Sequence, residues 1–321
     1  MMVFHDPAEV PAGFGPSVVA IGKFDGVHAG HRAVLERAKV DAATGGAKVV
    51  AVTFDRNPLS VLRPEICPED LIGVTQKQHL LAGTGIDATL ILRFDAALAS
   101  LEPRVFVERI LVDALGARTV LVGHDFRFGR GGAGNPDMLR ELGEELGFRV
   151  DVVDDVRSLD AGRRVSSTWI RELLAAGDVE TAAKLLGRPH AVRGEVVHGA
   201  KRGRDLGFPT ANLSPDLEGF IPADGVYAGW LVEEGPSTDV EPHRTTRYPA
   251  AISVGSNPTF DDVPARQVEA YVLGETDLDL YGRIVEVQFT ARVRGMVAFE
   301  GVDALVVQMT DDVEQVRTLL A

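Results

Sequence analysis

Residues 22–31, Gly-Lys-Phe-Asp-Gly-Val-His-Ala-Gly-His, constrain the fold of this chain more than any other stretch. They follow an apolar, β-branched run, Ser17–Ile21, and precede an amphipathic segment, residues 32–43. This order predicts a strand, a glycine-rich turn and a helix start. Glycines let backbone N–H groups approach a ligand closely, and a helix start offers unpaired donors with a partial positive charge. Together with two histidines one helical turn apart, the stretch indicates phosphate chemistry without a Walker lysine.

Composition and charge exclude several classes of protein. The chain has 321 residues, enough for two domains, and a formal net charge of −14, which argues against a general binder of nucleic acid or membrane surfaces. Its single cysteine, Cys67, excludes a disulfide framework and a cysteine-based zinc site within one chain. The first residues do not resemble a signal peptide, and no apolar run approaches the ~20 residues that span a bilayer. We therefore expect a cytoplasmic protein.

The first half of the sequence alternates between strand and helix patterns. The predicted strands are residues 17–21, 48–54, 88–94, 119–123 and 148–153. The predicted helices are residues 32–43, 75–82, 103–115 and 136–146. Such alternation predicts a parallel sheet with both faces covered, and ligands of such sheets bind beyond the carboxyl ends of the strands. Residues 22–31 and 123–129 both lie at such ends.

The second half has a different pattern. Helices are predicted from Ser166 or Ser167 to residue 176 and over residues 179–186, and a domain boundary after Gly187. Short β-branched runs punctuated by glycine and proline then follow, without intervening helices: residues 191–197, 226–232, 248–254, 267–273 and 284–293. These runs predict an antiparallel barrel. A final apolar stripe at helical spacing predicts a C-terminal helix packed on it: Val302, Leu305, Val306, Met309, Val313, Val316 and Leu320.

Two further motifs of the first half suit a nucleotide. In residues 166–171, Ser-Ser-Thr-Trp-Ile-Arg, a cation in the first turn opposes the helix dipole unless an anion binds there, so the hydroxyls and Arg171 form either a polyphosphate clamp or an ordinary cap. In residues 123–129, Gly-His-Asp-Phe-Arg-Phe-Gly, the aromatic rings either stack on a flat ligand or form a buried pair in a hairpin.

A glycine run at residues 129–134 fits the dinucleotide pattern G-x-G-x-x-G. The fingerprint requires its first glycine directly after the strand, whereas several residues separate Gly123 from Gly129 here. The sequence therefore disfavours a dinucleotide-dependent dehydrogenase without excluding it.

The second half contains a basic, glycine-rich stretch, residues 197–204, inside an otherwise acidic protein. This stretch suits either a loop that covers phosphates or a basic solvated turn. Thr210 and Asn212 follow two residues apart, so in an extended segment they share a face, and their oxygens suit Mg²⁺. Alternation places Glu269 on one face with Gln267 and Tyr271, which by itself predicts a solvent-facing residue.

These motifs, in this order, resemble the prokaryotic bifunctional riboflavin kinase/FAD synthetase family. The resemblance rests on residues 22–31, 123–129, 166–171 and 207–213, and on Glu269 with Leu280-Tyr281-Gly282. It implies an α/β, Rossmann-like parallel-sheet domain of the nucleotidyltransferase type over residues 1–187. It also implies an all-β, six-stranded antiparallel barrel with a C-terminal helix over residues 188–321. The first module would adenylylate FMN to FAD and release pyrophosphate, and the second would phosphorylate riboflavin to FMN, each with ATP.

The resemblance implies roles for particular residues of the first module. His28 and His31 would be catalytic, contacting the ATP phosphates and stabilising charge at the α-phosphate. The other ATP contacts would come from Gly22, Phe24, Asp25, Gly26, Ser167, Thr168 and Arg171. Asp125 and Phe128 would line the flavin side of the site.

In the second module, the resemblance makes Glu269 the base that takes the proton from the ribityl 5′-hydroxyl. The ATP contacts there would come from Gly199, Lys201, Arg204, Thr210, Asn212 and Asn257. Thr210 and Asn212 would also be the metal-binding residues. The implied cofactor is Mg²⁺, and the implied partners are riboflavin, FMN and ATP, without nucleic acid or membrane; the oligomeric state is left open.

Three positions depart from the family pattern: Asn57 replaces a usual histidine, Ala298 a common basic residue and Asn135 a frequent aspartate. Two alternative functions stay open at this level. One is another nucleotidyltransferase fused to an unrelated barrel, and the other is a non-catalytic flavin-binding carrier.

Overall fold

The structure is a computed structural model that describes residues 1–158, 160–199, 207–233, 246–256, 266–275, 278–297 and 299–321. The chain divides into two compact units. The first unit comprises Met1–Asp70 and Val74–Ser166, and the second comprises Leu71–Gly73 and Ser167–Ala321.

The first unit is built on a six-stranded sheet in which every neighbouring pair is parallel. Its strands are β1 (Met2–Phe4), β2 (Ser17–Ile21), β3 (Lys48–Phe54), β4 (Ala88–Leu92), β5 (Ala117–Gly123) and β6 (Arg149–Val153). The spatial order is β1-β4-β3-β2-β5-β6. All five residues of β2 are buried, as expected for a central strand covered on both faces. The predicted parallel sheet is thus confirmed, with β1 as an additional short edge strand.

Helices connect these strands. They are α1 (Ala29–Ala43), α2 (Leu59–Leu62), α3 (Val74–Ala82), α4 (Ala96–Ala99), α5 (Pro103–Phe106) and α6 (Pro136–Leu146). Helix α5 continues as a π-helix over Val107–Ala114, and short 3₁₀ turns cover Pro7–Glu9, Pro64–Ile66 and Arg130–Gly132. Helix α1 begins at Ala29, three residues before the predicted start, because His28 caps it.

The strand order creates a switch point at the centre of the sheet. From β2 the chain proceeds to β3 and β4 on one side, and then crosses to β5 and β6 on the other side of β2. Loops that leave the carboxyl ends of β2 and β5 therefore diverge, and a crevice opens between them. Residues 22–31 follow β2 and residues 124–129 follow β5, so both predicted motifs flank this crevice.

The second unit begins with helices α7 (Ser167–Ala176) and α8 (Val179–Leu186) and continues into a closed barrel. The barrel strands are β7 (His190–Val197), β8 (Thr210–Leu213), β9 (Gly225–Glu233), β10 (Thr246–Ser256), β11 (Arg266–Val272) and β12 (Ile284–Arg294). They close in the order β10-β11-β8-β7-β12-β9, with all neighbours antiparallel. The predicted six-stranded antiparallel barrel is confirmed.

The C-terminal helix, α9 (Val302–Leu320), packs on the outside of this barrel. Val316 is fully buried, and Val313 and Leu320 pack against the same small cluster, which includes Ala228 of β9. Val302, predicted as the first residue of the apolar stripe, is 59% exposed. The stripe therefore packs through its later turns.

Candidate functional site

Helix α1 begins with a histidine cap. The backbone of His28 is extended, and its Nδ1 accepts a hydrogen bond of 3.4 Å from the backbone N–H of His31. Because Nδ1 accepts, the proton of a neutral His28 ring is on Nε2. The ring thus satisfies one of the donors that a helix start leaves unpaired, while its other nitrogen is a donor.

The two histidines of the motif form a stacked pair. Their ring centroids lie 3.8 Å apart with an interplanar angle of 18°, and the ring of Phe24 lies 5.1 Å from that of His31. A methyl group at Gly30 would lie 3.1 Å from two atoms of the His28 ring. The glycine, unfavourable in a helix, is explained by the space that this ring occupies.

The turn between β2 and α1 has an unusual backbone. Phe24 and Val27 have φ angles of +48° and +41°, in the left-handed region that non-glycine residues rarely adopt, and Gly26 has φ +84°. Each such residue costs on the order of 1–3 kcal/mol, which the surrounding structure must offset. The side chains of Phe24 and Val27 are almost completely buried, at 1% and 0% exposed. Burial of these two apolar side chains holds the turn in shape.

His31 is neutral at physiological pH. Its burial lowers the pKa of the ring well below the usual value, and the neighbouring charges of His28, Lys77 and Arg164 lower the pKa further. Among the described residues its buried Nδ1 has no hydrogen-bond partner. A neutral imidazole with an unsatisfied nitrogen suits hydrogen bonding to a ligand better than a structural role.

Asp125 and Phe128, at the end of β5, lie in different surroundings. Asp125 is largely exposed and pairs with Arg164, whose Nη2 lies 3.1 Å from a carboxylate oxygen. Phe128 is only 6% exposed and stacks on Phe126 with centroids 5.5 Å apart. A short antiparallel bridge joins Phe128 to Gly134, which matches the hairpin with a buried aromatic pair weighed above. Asp125 is therefore accessible to a ligand, whereas most of the Phe128 ring is covered by protein.

The glycine run of residues 129–134 lies within this hairpin and in a 3₁₀ turn, and does not form the tight strand-to-helix turn of a dinucleotide site. Asn135 caps α6 by accepting from the N–H of Met138 at 2.9 Å. Asn57, at 8% exposed, accepts from the N–H of Leu59 at 3.1 Å. Both asparagines that depart from the family pattern thus have structural hydrogen bonds.

The predicted clamp lies at the start of α7. Ser167 is the first helical residue. Trp169 and Ile170 are buried, whereas Thr168 is exposed. Arg171 is half-buried one turn later. Helix α7 belongs to the second unit, whereas His28 and His31 belong to the first.

The second unit brings together Thr210, Asn212 and Glu269. Strands β8 and β11 pair so that Asn212 lies opposite Glu269 and Thr210 opposite Tyr271. The hydroxyl of Thr210 donates to Oε2 of Glu269 at 3.3 Å, and Nδ2 of Asn212 donates to the hydroxyl of Thr210 at 3.2 Å. The predicted shared face of Thr210 and Asn212 is confirmed, and Glu269 joins it across the sheet.

Glu269 is half-buried rather than solvent-facing. Its strand neighbours Val268 and Ala270 are fully buried, so Glu269 points to the other face of β11, as the alternation predicts. Burial raises the pKa of the Glu269 carboxyl, and the hydrogen bond from Thr210 partly offsets this. A carboxylate of raised pKa is a better proton acceptor, which suits a general base.

A cavity of about 280 Å³ adjoins these residues. Its lining comprises Val196, Gly199, Pro209, Thr210, Ala211, Asn212, Ala270, Val272, Glu275, Leu278, Asp279, Leu280 and Tyr281. A methyl group at Gly199 would lie 2.5 Å from the amide of Asn212, so a larger residue here would displace that amide. Sequence reasoning assigned no role to Glu275 or Asp279.

The ring of His198 lies 3.8 Å from that of Tyr281 at the edge of this cavity. Sequence reasoning gave His198 no role. The available signal was its position, because it directly precedes the motif residue Gly199.

Four residues singled out from the sequence, Lys201, Arg204, Asn257 and Ala298, lie outside the described residues. Within the described part of the chain, no group of three or more His, Cys, Asp or Glu side chains is arranged to hold a metal ion. No helix in that part is both long and apolar enough to span a bilayer.

Comparisons with known proteins match both units. A family model described as FAD synthetase matches residues 12–169, and one described as riboflavin kinase matches residues 186–320. A protein of Escherichia coli (strain K12) named bifunctional riboflavin kinase/FMN adenylyltransferase is 35% identical over 92% of this chain and 90% of its own length. A protein of the same name from Pseudomonas fluorescens is 37% identical, over 95% and 93%.

A solved structure has the same fold over nearly its whole length. The crystal structure titled "Macrolide-efflux Protein from Streptococcus pneumoniae" is 30% identical, with a TM-score of 0.82, and the match covers 98% of both chains.

Proposed function

The chain belongs to the family of bifunctional riboflavin kinase/FMN adenylyltransferases, and from this premise we propose which of its residues carry each of the two reactions. ATP is the co-substrate of both. The first reaction converts riboflavin to FMN, and the second converts FMN to FAD.

In the kinase reaction, Glu269 takes the proton of the ribityl 5′-hydroxyl as that oxygen attacks the γ-phosphorus of ATP. A P–O bond forms to the 5′-oxygen, the bond to the bridging oxygen breaks, and ADP leaves. The raised pKa of Glu269, caused by its burial, supports this role. The hydrogen bond from Thr210 orients the carboxylate.

The oxygen atoms of Thr210 and Asn212 are of the kind that hard divalent cations prefer, and they suit Mg²⁺ held jointly with the ATP phosphates. When bound there, Mg²⁺ would neutralise the negative charge that develops during phosphoryl transfer. Gly199, which belongs to the basic stretch, itself lies close to the amide of Asn212 because it lacks a side chain. Lys201, Arg204 and Asn257 complete the proposed ATP contacts of this module.

In the adenylyl transfer, a phosphate oxygen of FMN attacks the α-phosphorus of a second ATP, and the bond to the bridging oxygen breaks, releasing pyrophosphate. His28 and His31 hydrogen-bond the phosphate oxygens on which charge develops. The turn formed by Gly22, Phe24, Asp25 and Gly26 borders the same nucleotide. Ser167, Thr168 and Arg171 belong to the second unit, and their contact with the triphosphate stays a prediction from the resemblance. Asp125 contacts the flavin, with Phe128 behind it.

One observation supports this proposal: each unit contains a compact group of the side chains to which we assign a catalytic role. The stacked pair His28–His31 lies at the carboxyl edge of the parallel sheet, and the hydrogen-bonded group Thr210–Glu269 lies on the barrel. The family match over residues 186–320 removes the alternative of an unrelated barrel, and a non-catalytic flavin carrier has no support. A cytoplasmic location and a boundary between the modules after residue 187 stay predictions.

Two variants test the assignment. The double variant His28→Ala/His31→Ala should lose FAD formation by roughly a hundredfold or more and keep FMN formation, since it removes donors aimed at developing charge. Glu269→Gln should lose FMN formation by about a hundredfold or more and still convert supplied FMN to FAD. Product chromatography with riboflavin or FMN plus MgATP measures both rates.

Matched controls use residues outside both sites. His79→Ala replaces an exposed histidine of α3, and Glu286→Gln replaces a half-buried glutamate of barrel strand β12. Both controls should retain both activities. Loss of the two activities together in either test variant would contradict two independent sites.

A further inference from the structure

A buried lysine without a role in the mechanism above lies beside the candidate adenylyl-transfer site. Lys77, on helix α3, is only 7% exposed, and its Nζ donates a hydrogen bond of 3.0 Å to the main-chain carbonyl of Phe54. Phe54 is the last residue of β3, the strand next to β2. The ammonium therefore lies at the carboxyl edge of the sheet, where ligands of such folds bind.

The histidine-bearing loop, residues 22–28 between β2 and α1, ends at His28 and is held by this same end of β3. The backbone N–H of Gly22 donates to the carbonyl of Val52 at 3.1 Å, and the hydroxyl of Thr53 donates to the carbonyl of Lys23 at 3.0 Å. Three consecutive residues of β3 thus bind the histidine-bearing loop or Lys77. A displacement of this strand end would be transmitted to the loop.

Charge links Lys77 to the same loop. Burial lowers the pKa of its ammonium, while the carboxylates of Asp25, Asp70 and Asp55 act in the opposite direction. Asp25 belongs to the histidine-bearing loop and is 6% exposed, and buried carboxylates are stabilised by hydrogen bonds or by a nearby cation. The ammonium of Lys77 also acts on His31, where it disfavours the imidazolium form.

We propose that Lys77 is a positioning residue for adenylyl transfer, whose ammonium fixes the end of strand β3 and the carboxylate of Asp25 beside the histidine pair. Lys77 acts on the substrate through these groups, since its side chain is buried. The inference rests on the proposed role of His31 in this reaction.

The same strand offers a matched lysine. Lys48 is the first residue of β3, at the opposite edge of the sheet, and its Nζ donates to the carbonyl of Phe14 at 2.6 Å. Each lysine thus donates to one main-chain carbonyl, Lys48 from the first residue of β3 and Lys77 to the last. Only Lys77 lies at the edge where the histidine pair lies.

The experiment compares Lys77→Met with Lys48→Met in the full-length protein. We expect Lys77→Met to lower kcat for FAD formation from FMN roughly tenfold to a hundredfold, since small misplacements of catalytic groups have effects of that size. The rate of FMN formation in the same preparation should stay unchanged. Lys48→Met should leave both rates unchanged, although its thermal unfolding temperature falls. Lys77→Arg, which keeps the charge, should recover part of the lost rate.

A second readout separates positioning from a merely structural effect. The His31 ring, titrated by NMR, should have a higher pKa in Lys77→Met because a like charge has been removed, with His28 and Arg164 still beside it. Lys48→Met should not move this pKa.

Two results would overturn the proposal: unchanged FAD formation in Lys77→Met, or an equal loss in both methionine variants at equal loss of stability. If His31→Ala itself kept full FAD formation, the assignment of the site would fail instead, independently of Lys77.

Discussion

His190 shows what burial does to one histidine of the barrel. It is fully buried at the start of β7, and its Nε2 lies 2.6 Å from the carbonyl oxygen of Phe220. A neutral ring donates its Nε2–H to that oxygen, and its Nδ1 has no partner among the described residues. Burial lowers the pKa of the ring from 6.5 to about 4. The folded barrel therefore requires the neutral form.

This predicts a pH dependence of stability. Between pH 6.5 and about 4 the unfolded chain binds a proton at residue 190 that the folded chain does not bind. Stability therefore falls as pH falls through this window, by up to about 1.4 kcal/mol per pH unit from this one group. His190→Gln should be less stable at pH 7, because of lost packing. Its unfolding free energy should lack the part of the pH dependence that this histidine causes.

Both tryptophans, Trp169 and Trp230, belong to the second unit, so tryptophan fluorescence during urea unfolding reports on it selectively. The difference in unfolding free energy between wild type and His190→Gln should shrink from pH 7 to pH 4.5. His5→Gln, at an exposed histidine, should show the same dependence of unfolding free energy on pH as the wild type. An identical slope for His190→Gln and wild type would contradict the proposed neutral ring.

At the scale of single residues, the sequence predicts which residues belong to a site better than it predicts their burial and contacts. The pair His28 and His31 could be found from its spacing, because helical geometry fixes which residues are neighbours. The reason for Gly30, a His28 ring in the space that a side chain would occupy, required the three-dimensional arrangement. Glu269 looked solvent-facing because alternation predicts the face of a strand but not what covers it. Lys77 carried no pattern at all, since only the fold brings it to Phe54 and Asp25.

Among the elements, helix α9 is fastened to the barrel by a charged pair. Asp312 is 4% exposed, and both of its carboxylate oxygens accept hydrogen bonds from Arg294 at the end of β12, the shortest being 2.7 Å. Gln308, one turn earlier, donates to the same carboxylate at 3.0 Å. The later turns of α9 are thereby held on the barrel by packing and by this pair.

We predict that Asp312→Asn lowers the unfolding free energy of the second unit by about 3 kcal/mol, since removing one partner leaves a half-buried guanidinium uncompensated. Glu314→Gln, which breaks a 3.4 Å contact to Arg317 between two exposed side chains, should change it by less than about 1 kcal/mol. Urea unfolding followed by tryptophan fluorescence measures both. Equal effects of the two substitutions would show that the buried pair does not anchor α9.

Long, periodic elements were predictable, and short or irregular ones were not. Helices α6 and α8 begin and end where the sequence predicts, because proline or aspartate at the start and glycine at the end mark them. Strand β1 has only three residues, too few for a pattern. The predicted helix from Pro103 becomes a π-helix after Phe106, a change that apolar spacing does not reveal.

For the whole molecule, the sequence predicts the architecture of each unit but not which unit the connecting helices α7 and α8 join. Helices α7 and α8 belong to the second unit and are bonded to the barrel: the N–H of Ala223 donates to the carbonyl of Leu174 at 2.8 Å. The guanidinium Nη1 of Arg292 donates to the carbonyl of Ala176 at 2.9 Å, and the backbone N–H of Arg292 donates to the carboxylate of Glu180. A pattern of helices followed by strands does not say which core the helices join.

This arrangement predicts the behaviour of two fragments. Fragment 167–321 retains α7 and α8, whereas fragment 188–321 begins at the predicted module boundary and lacks them. Both should phosphorylate riboflavin at low temperature, because Thr210, Asn212 and Glu269 are present in each. Fragment 188–321 should be less stable by at least about 3 kcal/mol, because it loses the buried side chains of α7 and α8. Unfolding in urea followed by far-UV circular dichroism, and kinase activity against temperature, compare the two. Equal unfolding midpoints would mean that these helices contribute nothing to the stability of the barrel, which would support the module boundary predicted after residue 187.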